Sequence, residues 1–141
     1  MNLKFKKLHP DAVTPTYATD GSACFDLTAI SREKSFNTCL YQTGLAFEIP
    51  KGYVMLVYSR SGHGFNKDIR LSNCVGVVDS DYTGEVMVKL TFDEAGRPDF
   101  PLVGDRIAQA MLIPIQRLGL IETDTLNETE RGANGFGSTG R

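Results

Sequence analysis

Helical periodicity is missing from almost the whole chain, and so is any long apolar run. No long segment repeats apolar residues at the spacing of an amphipathic helix, which argues against a helical bundle. No stretch approaches the length of a membrane-spanning helix. Met1 to His9 (MNLKFKKLH) alternates apolar and basic residues, and no apolar core of a secretory leader follows, so export is not expected. Cysteine is sparse: three in all. Cys24, Cys39 and Cys74 are odd in number and widely spaced, against both a disulfide framework and a cysteine-based zinc site. Thiols in a reducing cytoplasm fit them better. A charge excess is lacking too. The formal net charge is −2, so no global basic field advertises a nucleic-acid polymer as partner. Any phosphate binding must be local and metal-assisted. There is no internal repeat and no linker.

What is present is one domain's worth of alternating strands. The chain has 141 residues, 41% hydrophobic and 23% charged, ordinary for a soluble globular protein with a real core. Leu3, Phe5 and Lys7 alternate with lysines. Leu45, Phe47 and Ile49 alternate with Ala46 and Glu48. Val54, Leu56 and Tyr58 follow the Lys51-Gly52 turn. Val86, Val88, Leu90 and Phe92 alternate with Met87, Lys89 and Thr91. All read as half-buried strands. Ile107 to Leu118 is apolar, and Pro114 suggests an edge or a bend. One short helical turn is expected near Ser61. Turn signals recur at Asp20-Gly21, Lys51-Gly52, Thr83-Gly84, Ala95-Gly96 and Val103-Gly104. Short strands at this spacing predict an all-β barrel or jelly roll. The composition shifts at Asn127, where the strands are expected to give way to a tail.

Five segments carry candidate chemistry. Asp20 to Ala29 (DGSACFDLTA) is a turn leading into a strand that projects Asp26; an isolated aspartate there also reads as a backbone cap. Tyr58 to Gly64 (YSRSGHG) sets Arg60 and Ser61 before the helical turn. That suits an anion beside a helix start, and equally a surface arginine with a serine N-cap. Asn73 to Glu85 (NCVGVVDSDYTGE) reads as a β-hairpin, either an ordinary acidic turn or a site offering an amide, a carboxylate and a ring. Gly76 there lets backbone approach a ligand. Gly104 to Gln109 (GDRIAQ) directs Gln109 from a strand, while its Asp-Arg pair reads as a surface ion pair. The glycine-rich end, Arg131 to Arg141 (RGANGFGSTGR), is either a flexible tail or an arm that orders over a ligand. In the second case Phe136 would stack on a planar ring, and Arg131, Ser138, Thr139 and backbone N–H groups would meet phosphate.

In this order and spacing, the five segments resemble the motifs of the homotrimeric dUTPase family (deoxyuridine triphosphate nucleotidohydrolases). Arg-Ser-Gly is followed by Asn-x-x-Gly-x-x-Asp-x-Asp-Tyr-x-Gly-Glu, then Gly-Asp-Arg-Ile-Ala-Gln, then Arg-Gly-x-x-Gly-Phe-Gly-Ser-Thr-Gly. The resemblance runs from about residue 18 to the C-terminus. It implies a jelly-roll-like (β-clip) barrel over residues 1–126. It also implies a homotrimer with exchanged C-terminal arms, residues 127–141, closing over the active sites.

The activity implied is Mg²⁺-dependent hydrolysis of dUTP to dUMP and pyrophosphate, which keeps uracil out of DNA and supplies dUMP for dTMP synthesis. Asp79 would be the general base. Tyr82 would pack under the deoxyribose. Asn73 and the Gly76–Asp79 backbone would hydrogen-bond uracil, with Val77, Val78 and Met87 lining the slot. Arg60, Ser61, Gly62 and Gln109 would hold phosphates, and Asp26 the waters of Mg²⁺. Phe136 would stack on uracil while Arg131, Gly137, Ser138 and Thr139 clamp the outer phosphates. The location implied is cytoplasmic, or host cytoplasm if a virus encodes the chain; a regulatory protein partner stays unspecified. An alternative is a nucleotide-gated signalling or binding module on the same fold, though an intact Asp79 with an intact arm favours catalysis. A dCTP deaminase relative would need its own acid and arginine set at the second motif, which is not seen. The chain departs from the family pattern at Cys24 and Asn134, each in place of glycine. It also departs at Ser59, a frequent proline, and at His63-Gly64, usually Leu-Ala. His63 reads as a packing or rim residue, and Asn134 as tolerating a positive φ.

Overall fold

The fold is that of a computed structural model, which describes residues 1–94, 96 and 98–136. In chain order the elements are β1 (Lys4–Lys7), β2 (Thr16–Tyr17), β3 (Phe25–Thr28), β4 (Ser31–Lys34), β5 (Thr38–Gln42), β6 (Leu45–Glu48), β7 (Tyr53–Tyr58), α1 (Ser61–Lys67), β8 (Ile69–Leu71), β9 (Val75–Val78), β10 (Met87–Phe92) and β11 (Arg106–Pro114). The chain is all-β apart from α1, and every strand pairing is antiparallel. Three sheets form, ordered β1-β6, β4-β5-β10-β8 and β2-β3-β11-β7-β9. Among the described residues they do not close into the expected barrel. No ladder of hydrogen bonds joins one sheet to the next, and what unites them is a shared core. Leu27, Tyr41, Met55, Leu90 and Ile107 are fully enclosed there, and the Phe25 and Phe47 rings lie 5.9 Å apart.

Alternation located the strands but not always their inward faces. In β10 Val88 and Leu90 point inward as expected. In β7 the deepest residues are Met55 and Val57, not Leu56 and Tyr58, so that from Met55 onward burial alternates in the opposite phase to the one expected; Val54 is buried as well, and with apolar residues at every position the sequence does not mark the inward face. β1 is exposed throughout, since it lies at an edge and meets only β6. The apolar segment at Ile107 forms a central strand, with β3 on one side and β7 on the other. Pro114 ends it where β7 alone remains as neighbour. The strands therefore give way at Pro114, earlier than Asn127.

The Asn73–Glu85 segment is not a β-hairpin. β9 pairs with β7 in the five-stranded sheet, whereas β10 pairs with β5 and β8 in the four-stranded one. Residues 79–86 cross from one sheet to the other. The crossing is closed locally. The Tyr82 hydroxyl donates to the Glu85 carbonyl at 2.8 Å, and a Cβ on Gly84 would lie 2.8 Å from that hydroxyl oxygen. Glu85 Oε1 accepts the Gly44 N–H at 2.8 Å, and buried Thr43 donates its hydroxyl to the Val86 carbonyl at 2.6 Å.

Candidate active site

One half of the site is a row across three strands. Asp26 on β3 lies opposite Gln109 on β11, which lies opposite Tyr58 on β7. The Asp26 carboxylate, 11% exposed, accepts Arg60 Nε on Oδ1 and Arg106 Nη1 on Oδ2, each at 3.0 Å. Arg106 was read from sequence as a surface pair with Asp105; it is a member of the site instead. The reason is a β-bulge between Arg106 and Ala108. A regular strand puts positions three apart on opposite faces. Here Ile107 and Ala108 are buried in succession, and the extra residue turns Arg106 toward the face that carries Gln109.

Arg60 lies two residues past the end of β7 and is the N-cap residue of α1. The backbone around it is tied twice through Ser59. Gln109 Nε2 donates to the Ser59 carbonyl at 2.9 Å, and the Ser59 hydroxyl accepts the Leu71 N–H at 2.9 Å. A proline at 59 would lack that hydroxyl, so this departure from the family pattern has a structural use of its own. Ser61 and Gly62 open α1 and are exposed, where N–H groups have no partner within a helix. Cys24, half-buried beside Asp26, has its thiol pKa raised, first by burial and then by the Asp26 charge, so it stays neutral next to the row.

The other half is a cavity of about 380 Å³ lined by Asn73, Gly76, Val77, Val78, Tyr82 and Met87 among others. All six were singled out in the sequence. Val77 is 63% exposed, Met87 52% and Tyr82 46%. Large apolar side chains gathered open around one hollow mark a surface that expects a ligand. Gly76 is there for closeness. A Cβ on it would sit 3.0 Å from Val57 Cβ and 3.8 Å from Asn73 Nδ2. Cys74 takes a positive φ of 63° in the tight turn after Asn73.

Asp79 follows β9 with its side chain exposed, and its carbonyl accepts the Tyr82 N–H at 3.2 Å. The two halves do not meet through it within one chain. Val78 pairs with Met55 at the start of β7, whereas Tyr58, next to Arg60, pairs with Val75 at the far end. Asp79 and Arg60 therefore leave opposite ends of the β7–β9 ladder, roughly 10 Å apart along it. Nor do the described residues of the tail line the cavity. Phe136 is fully exposed, and Arg131 Nε donates to the Asn134 carbonyl at 2.8 Å. Asn134 is not among the residues with positive φ, so the tolerance expected of it is not used. Gly137, Ser138 and Thr139 lie outside the described residues.

The dUTPase family model matches residues 11–140. The chain belongs to the dUTPase family. It is 41% identical to the deoxyuridine 5'-triphosphate nucleotidohydrolase of Helicobacter pylori (strain ATCC 700392 / 26695), over 99% of this chain and 97% of that one. Its counterpart in Nautilia profundicola is 43% identical, with both chains fully covered. In fold, the chain is similar to the dUTPase of Staphylococcus bacteriophage 80alpha, solved with dUpNHpp, at a TM-score of 0.86 with 24% identity and 99% of each chain covered. The dUTPase of phage phi11 of S. aureus, described with a structural Mg(II) ion, gives a TM-score of 0.75 at 20% identity, covering 89% of this chain and 98% of that one.

Proposed function

We propose that this dUTPase hydrolyses dUTP to dUMP and pyrophosphate, with the base held in the cavity between the sheets and the phosphates at the Asp26–Gln109 row. The observation that carries the assignment of parts is the cavity wall: the residues expected to hold uracil and deoxyribose line one hollow. Asn73 and the backbone from Gly76 to Asp79 address the edge of uracil. Val77, Val78 and Met87 enclose its faces. The Tyr82 ring, its hydroxyl already engaged by Glu85, offers an apolar floor to a sugar without a 2′-hydroxyl. Donors and acceptors fixed in place, once a bound base covers them, discriminate strongly against a base with an inverted pattern, such as cytosine.

Asp79 takes a proton from the attacking water. The water oxygen bonds to the α-phosphorus, the bond to the bridging oxygen breaks, and pyrophosphate leaves with that oxygen. The proton passes from Asp79 to solvent. Arg60, Ser61, Gly62 and Gln109 hold the phosphates, and Arg106 orients the Asp26 carboxylate. The residues present fit Mg²⁺ of the kind that rests on substrate phosphates and keeps its waters. Asp26 has acceptor sites beyond the two used by arginine, and no cluster of three acids or histidines exists among the described residues. When bound, the ion neutralises the charge gathering on the leaving group.

The assembly proposed is a homotrimer of jelly-roll-like subunits, with residues 127–141 of one copy serving as the arm over another copy's site. The separation of Asp79 from Arg60 along the β7–β9 ladder supports this, and so does the exposure of the described tail residues 127–134 and 136. Leu118, Leu120, Ile121 and Leu126 are each more than 70% exposed in the single chain, apolar surface that a second copy would cover. A cytoplasmic location accompanies the proposal; no described helix is long and apolar enough to cross a membrane.

The test is pyrophosphate release from dUTP, dTTP, dCTP and UTP, with and without Mg²⁺, for the wild-type protein and Asp79→Asn. Turnover confined to dUTP with Mg²⁺, and lost in a variant that still binds, is the result expected. Equal turnover by the two proteins would remove Asp79 from its role.

A further inference from the structure

His63 stands where the family pattern has an apolar residue, and its surroundings do not treat it as one. It sits in the first turn of α1, with its N–H donating to the Arg60 carbonyl at 3.0 Å. Its Nδ1 atom is buried and has no hydrogen-bond partner among the described residues. A buried imidazole nitrogen left unpaired is costly unless another state of the protein uses it.

The charges around it explain its resting state. Arg60 at the N-cap and Lys67 one turn on both disfavour a proton on the ring, and Asp105, in the turn before β11, favours one. Each is anchored to another group: Arg60 to Asp26 at 3.0 Å, Lys67 to Asp99 at 2.6 Å, and Asp105 to the Leu102 N–H at 2.7 Å. β8, packed on α1, brings Arg70, itself paired with Asp93 at 2.7 Å, and Asp68 caps the helix C-terminus. Burial, then Arg60, then Lys67 lower the imidazole pKa. In the free protein the ring is therefore neutral at physiological pH.

We propose that His63 is a proton-accepting member of the phosphate site: a polyphosphate held at Arg60 and Ser61 draws a proton onto its ring, and the imidazolium then strengthens the hold on the phosphates. This rests on reading Arg60 and Ser61 as phosphate ligands. The physical reason is a reversal of field. Without ligand the nearest cations dominate; several phosphate charges arriving at the start of α1 outweigh them, and partial burial limits screening. Protonation and binding are then linked, each favouring the other. Affinity gains as pH falls toward the ring's pKa in the complex, and the gain is complete below its pKa in the free protein.

The chain has only two histidines, so their ring signals can be followed by NMR in the full-length protein. His9 is an exposed internal reference, 3.5 Å from Asp11. The rings are titrated from pH 5 to 8 with Mg²⁺, free and saturated with dUpNHpp, and assigned with His63→Gln or, if that variant does not fold, His9→Gln. The His63 midpoint is expected to rise by about half a pH unit or more on saturation, and His9 to stay. By calorimetry, dUpNHpp should tighten more as the pH is lowered from 7.5 in the wild type than in His63→Gln, the difference reaching about threefold once the ring is protonated in both free and bound protein, the change that a half-unit shift converts to; the comparison cancels the ligand's own titration. An unmoved His63 midpoint, or the same pH dependence in both proteins, overturns the proposal. Arg60→Gln separates the two readings. If it weakens dUpNHpp while the His63 midpoint stays fixed, only the proton-accepting role fails. If it leaves binding undiminished, the phosphate reading fails and takes the proposal with it.

Discussion

The Gln109 amide donates to the Ser59 carbonyl at 2.9 Å, joining the middle of β11 to the residue before Arg60. On the phosphate reading proposed above, Gln109 acts partly through backbone. Its second amide hydrogen and its oxygen remain for a phosphate or a water, but one donor is spent on holding the start of α1 in place.

Gln109→Ala is expected to release that hold. A net hydrogen bond of this kind is worth about 1 kcal/mol of stability, so the melting temperature should fall only slightly. Turnover is more sensitive, since a small displacement of a positioning group costs about tenfold or more. Steady-state kinetics with dUTP beside thermal melting would show the split. An activity loss no larger than the stability loss would reduce Gln109 to packing.

Gly76→Ala should damage the base pocket. The added Cβ would meet Val57 Cβ at 3.0 Å, and both sit on paired strands, Gly76 opposite Val57. Neither can yield by rotating a long side chain. A stability cost of about 1–3 kcal/mol follows from overpacking, together with weaker binding of dUMP by calorimetry. Unchanged dUMP affinity would show that the backbone approach at 76 is not needed.

Thr43→Val tests the anchor of the sheet crossing. Thr43 is fully buried; its hydroxyl donates to the Val86 carbonyl at 2.6 Å and accepts the Leu45 N–H at 3.2 Å. Valine keeps the shape and leaves both groups without a partner, at about 1–3 kcal/mol each. Thr43→Ser should retain most of the stability. Denaturant unfolding of the two variants decides it, and equal stability would mean that the hydroxyl is dispensable.

Deleting residues 131–141 should leave the fold intact. Residues 131–134 are exposed, and so is Phe136, so little packing is lost. The melting temperature should stay within the range of surface changes, about 0.5 kcal/mol in stability, while turnover of dUTP falls steeply. A truncated protein with full turnover would end the arm-closure reading.

The sequence made the base pocket legible because its residues lie in one short segment. Asn73 to Met87 form one side of the cavity however the sheets are arranged, so the pocket survives even though the hairpin expected there is a crossing between sheets. The phosphate row was harder to see. Asp26, Arg60 and Arg106 are far apart in the chain and meet only through strand register. Arg106 was hidden by an irregularity that alternation cannot show, and Ser59 by the ordinary look of a serine after a strand. β7 misled because it is apolar at every position, so its sequence carries no polar residues to mark which face points outward. The place of Asp79 relative to Arg60 was not legible in the sequence, because it depends on the register of the β7–β9 ladder, which holds the two at opposite ends.

The bulge at Ile107-Ala108 fixes the parity of β11. Upstream of it odd and even positions point one way, downstream the other. Arg106 and Gln109 stand three apart and still share a face, which a regular strand allows only at an even separation. The extra residue is thus absorbed in the one place where it costs the row nothing. The same residue added between Ala108 and Gln109, outside the bulge, would send the amide into the core while leaving composition almost untouched.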